Sequence, residues 1–186
     1  MAHTMFESYS LFHHSLITSD KDALKFHAAA SLQLQCRDMN NNAAKSDSLL
    51  ISSPFNLPFN LLDLKALDTP NQLLAKAFTI FQPVRNDYAT ASYTASFNWS
   101  AVVAFLRSLS EAQGYRLEKK ILYIVTFRSR LHSNADMDLM DELDIHSHGE
   151  ATASGGLLKY WFGSPNENRE NLATCTLNLP RSYDIL

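Results

Sequence analysis

The sequence predicts an α+β fold: an incomplete β-α-β-β sheet with two preceding helices packed on it. Three observations carry that prediction. Ile121–Phe127 is rich in β-branched and aromatic residues and lacks glycine and proline, the composition of a strand. The run Asp136–Ala153 has helical character and stops at Ser154-Gly155-Gly156. Two more apolar runs, Leu157–Phe162 and Leu172–Leu177, follow, separated by a polar turn. Strand, helix, strand, strand is the first two-thirds of a β-α-β-β-α-β unit, and nine residues remain after Leu177.

Taken in chain order, residues 1–46 read as a poorly ordered arm. Asn40-Asn41-Asn42 and scattered serines break any long period, and Leu24, Ala28 and Leu32 make only one short amphipathic turn. Residues 47–186 are expected to form a single domain. Ser52–Asn60, with Pro54 and Pro58, reads as an extended linker, because proline removes a donor and biases its predecessor away from helix. A helix starts at Thr69-Pro70, with Thr69 as cap and Pro70 at the first helical position. Leu73, Leu74, Ala77, Phe78 and Phe81 give it one apolar face, and Pro83 ends it.

A second helix runs from Asn98, its cap, to Gly114, which suits the left-handed position past a C-terminus. Val102, Phe105, Leu106 and Leu109 recur at helical spacing and should face a core. Tyr88–Phe97 is a tyrosine-rich connector between the two helices. Ile121–Phe127 is apolar at nearly every position to Val125, so it is expected to be covered on both faces over part of its length. In the following helix Asn134 or Asp136 can cap the start, and Met140, Leu143, Ser147 and Ala151 approximate a buried stripe. On Leu157–Phe162, Leu158, Tyr160 and Phe162 take one face and Leu157, Lys159 and Trp161 the other.

Composition narrows the function classes. Hydrophobic residues make up 46% and charged residues 19%, the balance of an ordinary globular chain. A net charge of −3 with no basic stripe argues against nucleic acid as a partner. No apolar run reaches the length needed to span a bilayer, and acidic residues at Glu7, Asp20 and Asp22 interrupt any secretory signal. Cys36 and Cys175 lie far apart and define neither a metal pair nor a disulfide framework, which favours a reducing compartment, the cytoplasm.

The residues with chemical potential cluster in the last third. His146 and Glu150 lie four apart, as do Asp144 and His148, so each pair shares a helix face but the two pairs point in different directions. That divergence argues against a four-ligand metal site, and no zinc-type HExxH motif is present. His146 with Glu150 fits a base and its orienting carboxylate, or else an ordinary helix-surface pair. Arg128 and Arg130 leave the long strand on one side of the pleat, where an arginine can steady an anion or make a structural salt bridge. Tyr160 lies on the aromatic strand, which either packs as core or lines a pocket or an oligomer interface. Ser154-Gly155-Gly156 follows a helix rather than preceding one, so it is a turn and not a phosphate cradle. No nucleophile elbow, Cys–His pair or cofactor motif is found.

Several segments carry a resemblance: LLDLKALDTPNQLLAKAFT, DYATASY and SFNW, YIVTFRSRL, HSHGEATASGGLLKYWFGSP and NLATC. Between Leu61 and Cys175 the chain resembles a family of uncharacterised fungal proteins. The resemblance implies a ferredoxin-like domain of the dimeric α+β barrel type, in which a second subunit often covers one sheet face. It implies no catalytic residue. The sequence departs from that pattern after Cys175, where Thr176–Leu186 reads TLNLPRSYDIL in place of a further helix and closing strand. A C-terminally truncated or alternatively spliced chain is therefore expected, with one sheet face partly bare and a strand edge unpaired.

Two function classes follow. One is a cofactor-independent enzyme acting on a hydrophobic small molecule, with His146 as base, Glu150 orienting it, Arg128 steadying an anionic intermediate and Tyr160 alongside. The other is a non-catalytic module that binds a small ligand or forms a homodimer. The fold alone does not choose between them.

Overall fold

The computed structural model describes residues 49–55 and 58–178, and the expected N-terminal arm, Cys36 included, lies outside them. Strand β1 (Leu49–Leu50) pairs antiparallel with β2 (Leu62–Asp63) in a two-stranded ribbon. Helices α1 (Thr69–Ala77), α2 (Tyr93–Ser96) and α3 (Trp99–Ala112) follow. Then come β3 (Tyr123–Arg130), α4 (Met137–Ser154), β4 (Leu157–Phe162) and β5 (Glu170–Leu177). The second sheet has the order β3-β5-β4, with both pairings antiparallel. β3 and β4 therefore run parallel with β5 inserted between them, a split β-α-β unit. The mixed architecture is α+β.

Local chemistry sets the element ends. Asp68, not Thr69, caps α1: its carboxylate accepts from the Asn71 backbone N–H, and Pro70 sits in the first turn where no intrahelical donor is needed. A 3₁₀ turn, Phe78–Ile80, extends the helix toward Pro83. Asn98 occupies the cap position of α3, yet its side chain makes no cap bond. Its amide instead accepts from Gln82 N–H and donates to the Ile80 carbonyl, stapling α3 to the end of α1. Asp136 caps α4 through Leu139 N–H. Gly155 and Gly156 close it with φ of 79° and 85°, and a Cβ at Gly156 would meet the Asn178 carbonyl at 2.8 Å.

The core lies between the sheet and the α1–α3 layer. Leu73, Ala77, Phe78 and Phe81 on the α1 side are almost fully buried, with Leu158, Trp161 and Leu172 opposite them. The Trp161 ring meets Tyr88 and Phe97 edge-on at 5.2 and 5.1 Å, and Phe81 stacks on Phe97 at 4.5 Å. On the other face α4 packs on β4 and on the Pro58–Asn60 turn.

Four expectations need correction. Ser52–Asn60 is not a linker: Ile51, Ser52 and Ser53 are buried, and Ser52 O accepts from Tyr160 N–H, so the segment covers the outer edge of β4. The expected strand Ile121–Phe127 moves to Tyr123–Arg130, because pairing runs from Tyr123 opposite Leu177 to Arg130 opposite Glu170. All eight of its residues are exposed, against the expected cover on both faces. Met140 and Leu143 are exposed as well, and α4 instead buries His148 and Gly149. Apolar character there does not become burial, because nothing among the described residues covers that side.

Candidate functional site

The α4 face of β4 holds a cluster of buried polar groups. Tyr160 alternates with Trp161, so its ring points away from the main core toward α4. There its hydroxyl donates to the Asp144 carboxylate, at 2.8 and 2.7 Å from the two oxygens. Burial first, and the hydrogen-bonded carboxylate second, push the phenol pKa well above its ordinary value. His148 is 4% exposed, with its ring centroid 5.5 Å from that of Tyr160 and 5.6 Å from that of Phe55. Asn60 Nδ2 donates to His148 Nδ1 at 2.7 Å, which places the imidazole proton on Nε2. That Nε2 is buried without an acceptor among the described residues. Burial, helped by Lys159, holds the His148 pKa down at about 4, so the ring is neutral at physiological pH. On the other, Trp161 face of β4, opposite Thr176, Lys159 is 3% exposed and burial lowers its pKa to about 7.

The four residues singled out from sequence do not converge. His146 and Glu150 are exposed. Arg128 points to the opposite face of the sheet, since its register partner Leu172 belongs to the main core, and its guanidinium donates to the carbonyls of Ala89 and Ala91. Only Tyr160 is drawn into a polar cluster, and its partners there are Asp144 and His148. Among the described residues, no three His, Cys, Asp or Glu side chains are grouped to hold a metal ion.

An open cavity lies elsewhere. A cavity of about 810 Å³ opens between α1, α3 and the chain from Tyr115 to Leu122. Its apolar wall comes from Leu74 and Phe78 on one side, Trp99, Val102 and Leu106 on the other, and Leu122 on the third. This volume lies in the range of small-molecule sites. Asp68, Glu118, Lys119 and Lys120 add two negative and two positive charges to the lining. Lys120 is already engaged by Asn71 and, at 3.9 Å, by Asp68. Trp99 Nε1 is a buried donor with no acceptor among the described residues.

Sequence reading missed this cavity for a physical reason. The 3.6-residue period identifies the inward stripe of α3, but it does not show whether opposing side chains meet or stand apart. The run from Tyr115 to Leu122, polar in its middle yet bounded by apolar residues, supplies the third side of the cavity.

A family profile described as PB2B2.08-like matches residues 51–179. The chain is 35% identical over 131 residues to UPF0643 protein PB2B2.08 of Schizosaccharomyces pombe, an alignment taking in 67% of this chain and 60% of that protein. The chain thus spans about three-fifths of the length of this curated relative. No solved structure matches.

Proposed function

The chain belongs to the PB2B2.08-like family, and from that premise we propose that it binds a hydrophobic small molecule without transforming it. The observation that carries this reading is the cavity between α1, α3 and residues 115–122, large enough for a ligand and lined mainly by apolar side chains. The acid–base alternative needs a base, its orienter and an anion stabiliser around one reacting atom. His146 and Glu150 at the surface, and Arg128 bonded to two carbonyls on the far face of the sheet, do not favour it. In this reading Tyr160, Asp144, His148 and Asn60 hold α4 to the sheet. Cys175 as a free thiol suits a cytoplasmic setting.

A thermal-shift screen of uncharged apolar metabolites tests the proposal, with Val103→Phe as the blocked control because exposed Val103 lines the cavity mouth. Hits that stabilise the native chain and lose that effect in Val103→Phe support it. Hits indifferent to the substitution, or an empty screen, overturn it.

Homodimerisation is a second reading, with its own observation. Nine large apolar side chains between Ile121 and Leu143 are exposed, and β3 is an outer strand with no described partner on its free edge. Half-exposed residues of that size supply on the order of 800 Å² per copy, the scale of a standard interface. A second copy pairing along β3 covers that free edge and the apolar side chains beside it. The ferredoxin-like, dimeric α+β barrel assignment rests on the same split topology. Sedimentation velocity on wild type and Val125→Lys decides it: a dimer lost in the variant supports the reading, and a wild-type monomer at micromolar concentration refutes it.

A further inference from the structure

We propose that residues 115–122 are a gate over the α1–α3 cavity, latched by Lys120 on Asp68 and Asn71, and that release of the latch sets how fast an apolar molecule enters and leaves. This rests on the ligand-binding reading above and adds how that site opens.

The segment has two fixed ends and a loose middle. At its start the Tyr115 N–H donates to the Ser110 carbonyl at 2.9 Å, and the Ser110 hydroxyl donates to the Tyr115 carbonyl. At its end the Lys120 ammonium donates to the Asn71 amide oxygen and lies 3.9 Å from the Asp68 carboxylate, after which Leu122 packs against the core. Between them, Arg116, Leu117, Glu118 and Lys119 are all exposed and make no hydrogen bond or ion pair with any described residue. Segments of this kind open at the lowest cost in free energy. Leu117 and Ile121 line the cavity while 37% and 75% exposed, so swinging them outward sacrifices little buried apolar area. Gly114 supplies the pivot: its φ is 61°, and nothing stands within 4 Å of where a Cβ would be, so no side chain braces the turn.

The latch is built to hold and to release. Asn71 is 2% exposed, so its amide is a fixed seat for the ammonium. That seat lies in the first turn of α1, where the aligned peptide dipoles disfavour a cation. The Asp68 side chain is 60% exposed, so water screens its attraction for Lys120. These contacts sit at the rim and not in the apolar wall of Leu74, Val102 and Leu106. Losing them therefore speeds entry and exit alike and leaves affinity nearly unchanged.

Stopped-flow fluorescence with N-phenyl-1-naphthylamine, an uncharged fluorophore that brightens in apolar surroundings, tests this on the whole chain. Loss of binding in Val103→Phe places the probe in the cavity. Lys120→Met keeps the stem and loses the ammonium. It is expected to raise the association and dissociation rate constants together by roughly three- to tenfold, the worth of one net hydrogen bond, with Kd within about twofold. Lys120→Arg, which keeps the charge, stays near the wild-type rates. The wild type alone gives a second arm: an uncharged probe is not steered, so added salt should raise both its rate constants by screening the latch. Rates unchanged in Lys120→Met, a weaker Kd at an unchanged association rate, or wild-type rates indifferent to salt overturn the latch while the cavity reading survives. No binding by the wild type, or binding indifferent to Val103→Phe, overturns both.

Discussion

Lys159→Met gives the sharpest test of the electrostatics. Lys159 sits on β4, next to Tyr160 and 3% exposed, and burial lowers its pKa from 10.5 to about 7. The sign follows from linkage. Between about pH 7 and 10.5 the unfolded chain holds a proton that the folded chain has released, so stability rises with pH across that window. Below pH 7 both states are charged and the folded state bears the whole burial cost. A shift of that size corresponds to about 5 kcal/mol, an upper figure. Relaxation and water entry at real buried sites reduce it, and about 2–4 kcal/mol is the working expectation. Methionine keeps an unbranched stem of similar volume and removes the charge. Urea unfolding at pH 6, 8 and 10 should show Lys159→Met more stable by about 2–4 kcal/mol at pH 6, with the gap closing toward pH 10. The raised thiol of Cys175 and phenol of Tyr160 make both chains less stable in alkali, and they cancel in the difference. A variant no more stable at pH 6, or a gap indifferent to pH, refutes the assignment of Lys159 as a cation held in a poorly hydrated site.

Two further substitutions probe how the faces of the sheet are held. Tyr160→Phe removes the proton that Tyr160 donates to Asp144 and should cost about 1–2 kcal/mol in urea unfolding, the range for a hydrogen bond to a half-exposed charged group; no change at all would mean that this bond does not help hold α4 to the sheet. Gly163→Ala places a Cβ within the Tyr88 ring and hydroxyl, and should cost about 1–3 kcal/mol. Adding Tyr88→Phe removes the nearest atom and should recover part of that loss, so a double variant worse than the single would contradict the geometry.

Much of this architecture was legible in the residues. Leu157–Phe162 occupies β4 as expected, because glycine bounds it on one side and its own apolar run defines it. α3 and α4 begin and end within a few residues of their signals, since capping is chemistry local to the sequence. The strand order β3-β5-β4 comes from a crossover through α4 followed by a hairpin that brings β5 back between the two parallel strands. Burial was less legible. Val125, Phe127, Met140 and Leu143 look like core, but whether an apolar side chain is buried depends on what lies opposite it, which no local pattern contains. The candidate site was missed for a related reason. His146 and Glu150 have the right spacing and the right chemistry, yet a two-residue offset, about 200° around the helix, sends Asp144 and His148 inward and leaves them outside. The indole of Trp99 gave no signal at all, because an unpaired donor can be seen only after its neighbours are placed.

The central claim is that the space between α1, α3 and residues 115–122 is a standing cavity open to apolar molecules. The direct measurement is an amide NMR spectrum of the whole chain under xenon pressure, since xenon enters apolar cavities without needing a specific partner. The account predicts saturable shifts confined to residues around Leu74, Val102, Leu106 and Leu122, and their loss in Val103→Phe. Shifts that are absent, or that gather instead around β3 and the exposed side of α4, would contradict it.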